Sequence, residues 1–331
     1  MSLPPDIRQI SLATPFAIGR VNAYLLDGDP LTLVDTGPLM RETQAELEAG
    51  LAALGRRLED IEVVFLTHQH MDHHGLAPVV VERSGADVAV LAPLARYLTE
   101  YERSLDLDDA FAVETMGLHG VPPDVATTLS EVSRAFRRFA GGSVATARVL
   151  EDGQRVRLGG REWTVHARSG HSPTDTILHD EAEGLLVGGD HLLEKISSNP
   201  VAHVPIDATD PVAAARDLEG PGALRRYLAS MRASAAMDVS LVLPGHGEPF
   251  ADHAGLVTRR ERMHRRRAEK ILREAAEPVT ATDIARTLWR RVPVAQQYLA
   301  LSEVLGHLDL LLGEGRVRPV EEDGLVRWQQ V

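Results

Sequence analysis

The chain has 331 residues, a net charge of −13 from 35 Lys and Arg against 48 Asp and Glu, and 44% hydrophobic and 25% charged residues. These are values of an ordinary globular protein with ample material for a core, so wholesale disorder is excluded. The chain contains no cysteine, which excludes disulfides, thiolate metal sites and a thiol nucleophile. Any metal must be held by histidine and carboxylate. No apolar stretch is long enough to span a bilayer and the N-terminus reads as no signal peptide, so a cytoplasmic protein without membrane association is expected. The charge is uneven: Arg259 to Val331 holds 14 basic and 11 acidic residues, net +3, against −16 for the rest. This change of sign marks a compositional boundary near residue 256.

In chain order, Val21–Leu26 and Leu31–Val34 read as strands around the turn Asp27-Gly28-Asp29-Pro30. Arg41–Leu54 has apolar residues at helical spacing and stops at Gly55. Ile61–Leu66 is a near-continuous apolar run, suited to a strand buried on both faces. Residues 94–140 carry no strand signal and read as a helical insertion of two or three helices, with a turn at Gly120-Val121-Pro122-Pro123. Strands are expected at Trp163–His166, Thr176–His179, Gly184–Val187 and Val239–Leu243. The pattern then turns helical at Gly255–Ala276, Ala281–Arg290 and Val294–Leu312. A ribbon, Val317–Val320 and Leu325–Trp328, closes the chain around Asp323-Gly324, giving a winged-helix-like module.

The chemistry concentrates in Thr67-His68-Gln69-His70-Met71-Asp72-His73-His74-Gly75, directly after the strand Ile61–Leu66. A loop leaving the carboxyl end of a buried strand is where α/β folds place their sites. The H-x-H-x-D-H spacing lets one turn aim two imidazoles at one point and a carboxylate with a third imidazole at another. His171, Asp190 and His246 each sit in a glycine-containing turn just past a later strand, where glycine permits close backbone approach. Together they complete two His/Asp sets.

Five segments in order, the Asp35 of Leu33-Val34-Asp35-Thr36-Gly37, His68–His73, His171, Asp190 and His246, resemble those of the metallo-β-lactamase fold superfamily. The resemblance covers residues 1–255, the catalytic domain, and leaves 256–331 as the winged-helix-like C-terminal domain. It implies an α/β fold, an αββα sandwich of two mixed sheets with a metal cleft along one edge. It also implies that His68, His70 and His171 hold one metal and Asp72, His73 and His246 a second, with Asp190 bridging both and Asp35 orienting the ligands from behind. The donors suit two Zn²⁺, with Fe or Mn as substitutes. Two such ions lower the pKa of a shared water and polarise the scissile oxygen, and Asp72 additionally steers the proton to the leaving group. The diiron flavoproteins of the superfamily resemble H-x-E-x-D-H instead, and position 70 here is His.

Asn199 and His203, on the loop after Asp190, are candidate substrate contacts, because loops in that place line the cleft in relatives. The run Arg259–Arg267 reads either as a nucleic-acid-binding helix or as a solvated helix with acidic partners, and the acidic body favours the second. The C-terminal module covers the cleft or forms a homodimer contact. The expected activity is hydrolysis of a small ester, thioester or lactone, as in glyoxalase II-like members. The alternatives are a metal-dependent ribonuclease of the same fold and a non-catalytic metal-binding protein.

Overall fold

The structure is a computed structural model and describes residues 2–198, 200–218 and 222–331. A six-stranded sheet runs in the order of the chain: β1 (Ile7–Leu12), β2 (Val21–Leu26), β3 (Thr32–Val34), β4 (Val63–Phe65), β5 (Asp87–Leu91) and β6 (Arg148–Leu150). β1 to β3 pair antiparallel and β3 to β6 parallel. A second, five-stranded sheet contains β7 (Arg155–Leu158), β8 (Arg161–Ala167), β9 (Thr176–Asp180), β10 (Leu185–Gly189) and β11 (Leu241–Pro244), antiparallel except for β10 and β11. Helices α1 (Arg41–Ala53), α2 (Met71–His74), α3 (Ala77–Ser84), α4 (Ala92–Thr99), α5 (Tyr101–Leu118) and α6 (Pro123–Phe136) follow strands of the first sheet. α7 (Pro211–Arg216) and α8 (Ala223–Ala235) lie between β10 and β11.

Alternation along β2 explains the layering. All six residues of β2 are buried, so neither face meets water. Val21, Ala23 and Leu25 pack outward with Leu47 and Leu51 of α1 and Val80 of α3. Tyr24 and Leu26 point the other way, into a core shared with Trp163, Val165, Leu178 and Leu243 of the second sheet. The outer face of that sheet is closed by Tyr227, Leu228 and Met231 of α8 on Ile177, Leu186 and Val242. The result is the αββα sandwich expected from the sequence.

The C-terminal segment contains α9 (His253–Glu274), α10 (Ala281–Leu288) and α11 (Gln297–Gly313). A small sheet completes it: β12 (Val279–Thr280), β13 (Val317–Glu322) and β14 (Leu325–Gln330), with β14 in the middle. α9 runs without interruption across residue 256. Its first turns, through Leu256 and Val257, pack on the sandwich, and its later turns, through Ala268 and Ile271, enter a separate core. That core also takes Phe111, Met116, Leu118 and Leu129 from the insertion, so insertion and C-terminal helices form one packed body.

Candidate metal centre

The H-x-H-x-D-H segment leaves β4 as a turn and enters α2, a helix of four residues. This brief turn gathers His68, His70, Asp72 and His73, with the His68 ring centroid 4.7 Å from that of His70 and 4.2 Å from that of His73. The loops after β8, β10 and β11 bring His171, Asp190 and His246 to the same edge of the sandwich. His68 Nε2 and His171 Nε2 each stand 3.0 Å from His70 Nδ1. His73 Nε2 lies 3.4 Å from Asp190 Oδ1, and His246 Nε2 lies 3.4 Å from both Asp72 Oδ2 and Asp190 Oδ2. Asp190 Oδ2 is also 3.7 Å from His171 Nε2, so this carboxylate lies between the two sets. In each set, His68, His70, His171 and Asp72, His73, His246, the ligand atoms lie within 4.8 Å of one another.

Hydrogen bonds on the far side of each ring fix which nitrogen faces inward. The Thr67 hydroxyl donates to Asp35 Oδ2 at 2.9 Å and so accepts from His68 Nδ1 at 3.0 Å, leaving the His68 Nε2 lone pair inward. His73 Nδ1 donates to Asp35 Oδ2 at 2.7 Å, and His246 Nδ1 donates to the Arg20 carbonyl at 2.7 Å. Their Nε2 atoms therefore present lone pairs to Asp72 and Asp190. Lone pair against carboxylate at 3.4 Å is repulsive unless a cation lies between them. His73 Nε2, His246 Nε2 and Asp190 Oδ1 are buried with no hydrogen-bond partner. For tetrahedral coordination at the usual Zn–N length, neighbouring ligand atoms stand about 3.3 Å apart. The residues therefore fit a pair of metal ions.

The electrostatics agree. Burial, with the neighbouring His171, pushes the His70 imidazole down to about 3, so it stays a neutral donor. Burial also opposes charge on His246, yet Asp190 and Asp72 outweigh it and push the ring up to about 10. Burial would raise the Asp72 carboxyl, but His73 and His246 bring it down to about 2. Without a metal the carboxylates thus recruit protons to these rings, which marks where positive charge is demanded. Gly245 leaves the room: a Cβ there would come within 2.3 Å of Asp190 Oδ1 and 2.7 Å of His73 Cε1.

The structure brings together all seven candidate ligands, with Asp35 behind them. Asp35 holds a positive φ of 55° and accepts from the Thr67 amide, the Thr67 hydroxyl and His73, bonds that tie it to the ligand loop. His203 is half-buried on the loop after Asp190, and its Nε2 is buried with no hydrogen-bond partner. Burial and the nearby Arg226 guanidinium depress it to about 3. Asn199 lies outside the described residues. His74 turns away and packs edge-on against Tyr101, and His191 bonds Ser234 Oγ at 2.9 Å.

Several supporting residues escaped the sequence reading. Asn22 Nδ2 donates to the Pro244 and Gly247 carbonyls at 2.9 and 2.8 Å, and the Tyr24 hydroxyl to Pro244 at 2.8 Å, pinning the His246 loop. Their signal was two polar groups in a strand otherwise wholly apolar. Thr174 Oγ1 bonds the Gln69 amide and side chain, tying the first ligand loop to the segment after His171. Arg260 Nη2 donates to the carbonyls of Leu193, Glu194 and Ile196, the stretch after Asp190. It belongs to the basic run, whose Arg259, Arg265 and Arg267 pair with Asp252, Glu314 and Glu303.

Comparison with known proteins gives the same answer. Residues 17–246 match the model of the metallo-beta-lactamase superfamily, and residues 268–331 match that of a metallo-beta-lactamase-like C-terminal domain. The chain is 32% identical over 97% of both sequences to "Probable metallo-hydrolase YqjP" of Bacillus subtilis. It is 30% identical to the human acyl-coenzyme A thioesterase MBLAC2 over 52% of this chain and 58% of that one. Among solved structures, a metallo-beta-lactamase family protein from Thermus thermophilus aligns over 100% of both chains with a TM-score of 0.79 and 26% identity. A beta-lactamase domain protein from Burkholderia ambifaria aligns over 100% of this chain and 94% of its own, with a TM-score of 0.83 and 27% identity. With its fold, its clustered ligands and these relatives, the chain belongs to the metallo-β-lactamase superfamily, as a metal-dependent hydrolase.

Proposed function

We propose that the protein is a dinuclear hydrolase of a small ester, thioester or lactone. The observation that carries this reading is the pair of three-ligand sets with Asp190 between them. His68, His70 and His171 would hold one ion and Asp72, His73 and His246 the other. Zn²⁺ suits these donors, and Fe or Mn can substitute. Bound there, the ions supply a water ionised near neutral pH and a Lewis acid for the scissile carbonyl.

The chain's residues do the rest. Asp35 and the Arg20 carbonyl hold His73 and His246 in the tautomers that face inward. Asp72, ionised and 3.4 Å from His246 Nε2, is assigned the transfer of a proton from the nucleophile to the leaving group. The 30% identity to a thioesterase supports the thioester class, and the acidic body disfavours a polyanion. The ion pairs within the basic run leave it a weak grip for RNA.

The test is a substrate panel of thioester, lactone, phosphodiester and single-stranded RNA on Zn- and Mn-loaded enzyme. Turnover of a thioester or lactone, without RNA cleavage, is the expected result. Salt-sensitive RNA cleavage with no acyl hydrolysis would overturn the reading.

A further inference from the structure

A cavity of about 440 Å³ opens where the turn before α6, the helix α10 and the start of α11 meet. Val121 of that turn, Ala285 of α10 and Leu301 of α11 give it apolar walls. Trp289, half-buried at the end of α10, lines it too, and the Arg267 guanidinium carbon stands 5.6 Å from the centre of the indole. The remaining wall is cationic: Arg286, Arg290 and Arg291 all line the cavity, and no acidic side chain does. An apolar concavity of this volume with a few convergent charged groups has the character of a ligand pocket.

Three arginines around one opening stand out in a chain of net charge −13. Elsewhere on the same body Arg265, Arg267, Arg316 and Arg327 each pair with a glutamate. Arg290 and Arg291 have no ion-pair partner among the described residues, and Arg286 reaches only Asp283 of its own helix, at 3.5 Å. Like charges gathered at one concavity repel, and an anion seated there relieves the repulsion. Guanidinium forks match phosphate oxygens two at a time. Three of them suit a ligand with more than one negative charge, whereas a monocarboxylate supplies a single one. The indole adds a flat apolar platform on which a ring can stack.

We propose that this cavity binds an organic phosphate built on a flat ring, of the chemical class of a nucleoside diphosphate. The ring lies against Trp289 and the apolar wall, and the phosphates meet Arg286, Arg290 and Arg291. The site is separate from the metal centre, since none of its lining residues is a candidate metal ligand. Extended RNA is a poorer fit, because Arg265 and Arg267 of α9 are already paired with Glu314 and Glu303 and continue no cationic track from the cavity.

The experiment titrates ADP, inorganic pyrophosphate and a single-stranded RNA oligonucleotide calorimetrically into the metal-loaded chain and follows tryptophan fluorescence in parallel. Trp163 and Trp328 are buried, so quenching reports on Trp289. ADP should quench the fluorescence and bind about fivefold or more tightly than pyrophosphate. Arg290→Gln with Arg291→Gln should weaken ADP about tenfold or more, because charge-assisted bonds to phosphate are lost. Both side chains are exposed, and a melting curve checks that the variant folds. Asp190→Ala, which disturbs the metal centre, should leave ADP affinity within about twofold. No binding of ADP, or an ADP affinity that the two arginine substitutions leave unchanged, would overturn the site. Pyrophosphate bound as tightly as ADP, or arginine-dependent binding of RNA that exceeds that of ADP, would overturn the ligand class.

Discussion

Asp35 and Asp190 carry the same side chain to opposite ends. Asp35 is fully engaged, accepting two bonds from Thr67 and one from His73, whereas Asp190 Oδ1 is buried with no hydrogen-bond partner between two sets of imidazoles. Asp35→Asn keeps the volume but replaces one acceptor with a donor, and so disturbs the tautomer of His73. Competition titration against a chelator should show metal affinity falling about 10- to 100-fold; an unchanged affinity would mean that Asp35 is only a turn residue. The ligands were legible because four of them stand within six residues and the others each follow a strand. Asn22, Tyr24 and Thr174 were not, because they serve the site through bonds to loops far away in sequence, and no local spacing records such a bond.

At the scale of elements, α9 gives the basic run partners within the fold. The guanidinium of Arg260 donates to three carbonyls of the loop after Asp190. Arg260→Gln should speed amide exchange across residues 193–198 and raise KM several-fold while metal content is unchanged. Unchanged exchange there would show that the loop is held by other bonds. The insertion carries its own pH dependence. Asp108 of α5 accepts from the Tyr97 hydroxyl at 2.9 Å, and burial pushes its carboxyl up to about 7. A carboxyl raised in the fold contributes stability at low pH that is lost as pH climbs from its ordinary value near 4 through about 7. Asp108→Asn should therefore raise the melting temperature by a few degrees at pH 8 and have little effect at pH 4. An equal shift at both values would contradict this origin.

Across the whole molecule, β2, β3, β4 and the helices α1, α9, α10 and α11 were readable from periodicity, whereas α3 and α8 were not. Strands β1, β5, β6, β7 and β12 were missed; β6, β7 and β12 have four residues or fewer, too few for a period to register. The fusion of the insertion with the C-terminal helices into one core was also hidden, since it joins segments more than a hundred residues apart. The basic run belongs to this body. Arg265 and Arg267 pair with Glu314 and Glu303, and the Glu303 side chain is only 10% exposed. Neutralising Arg265, Arg266 and Arg267 to Gln together should lower the melting temperature while leaving turnover of a small thioester within about threefold, since surface charge far from a small substrate contributes little. Loss of turnover at unchanged stability would place the run in the catalytic machinery.

The central claim is that two metal ions share Asp190. The most direct measurement is metal content by elemental analysis of the purified chain beside its Asp190→Ala variant. The wild-type chain should carry close to two ions and the variant should lose occupancy of both sites with its activity. A wild-type chain that neither carries nor takes up transition metal, or a variant that keeps its full complement, would contradict the account.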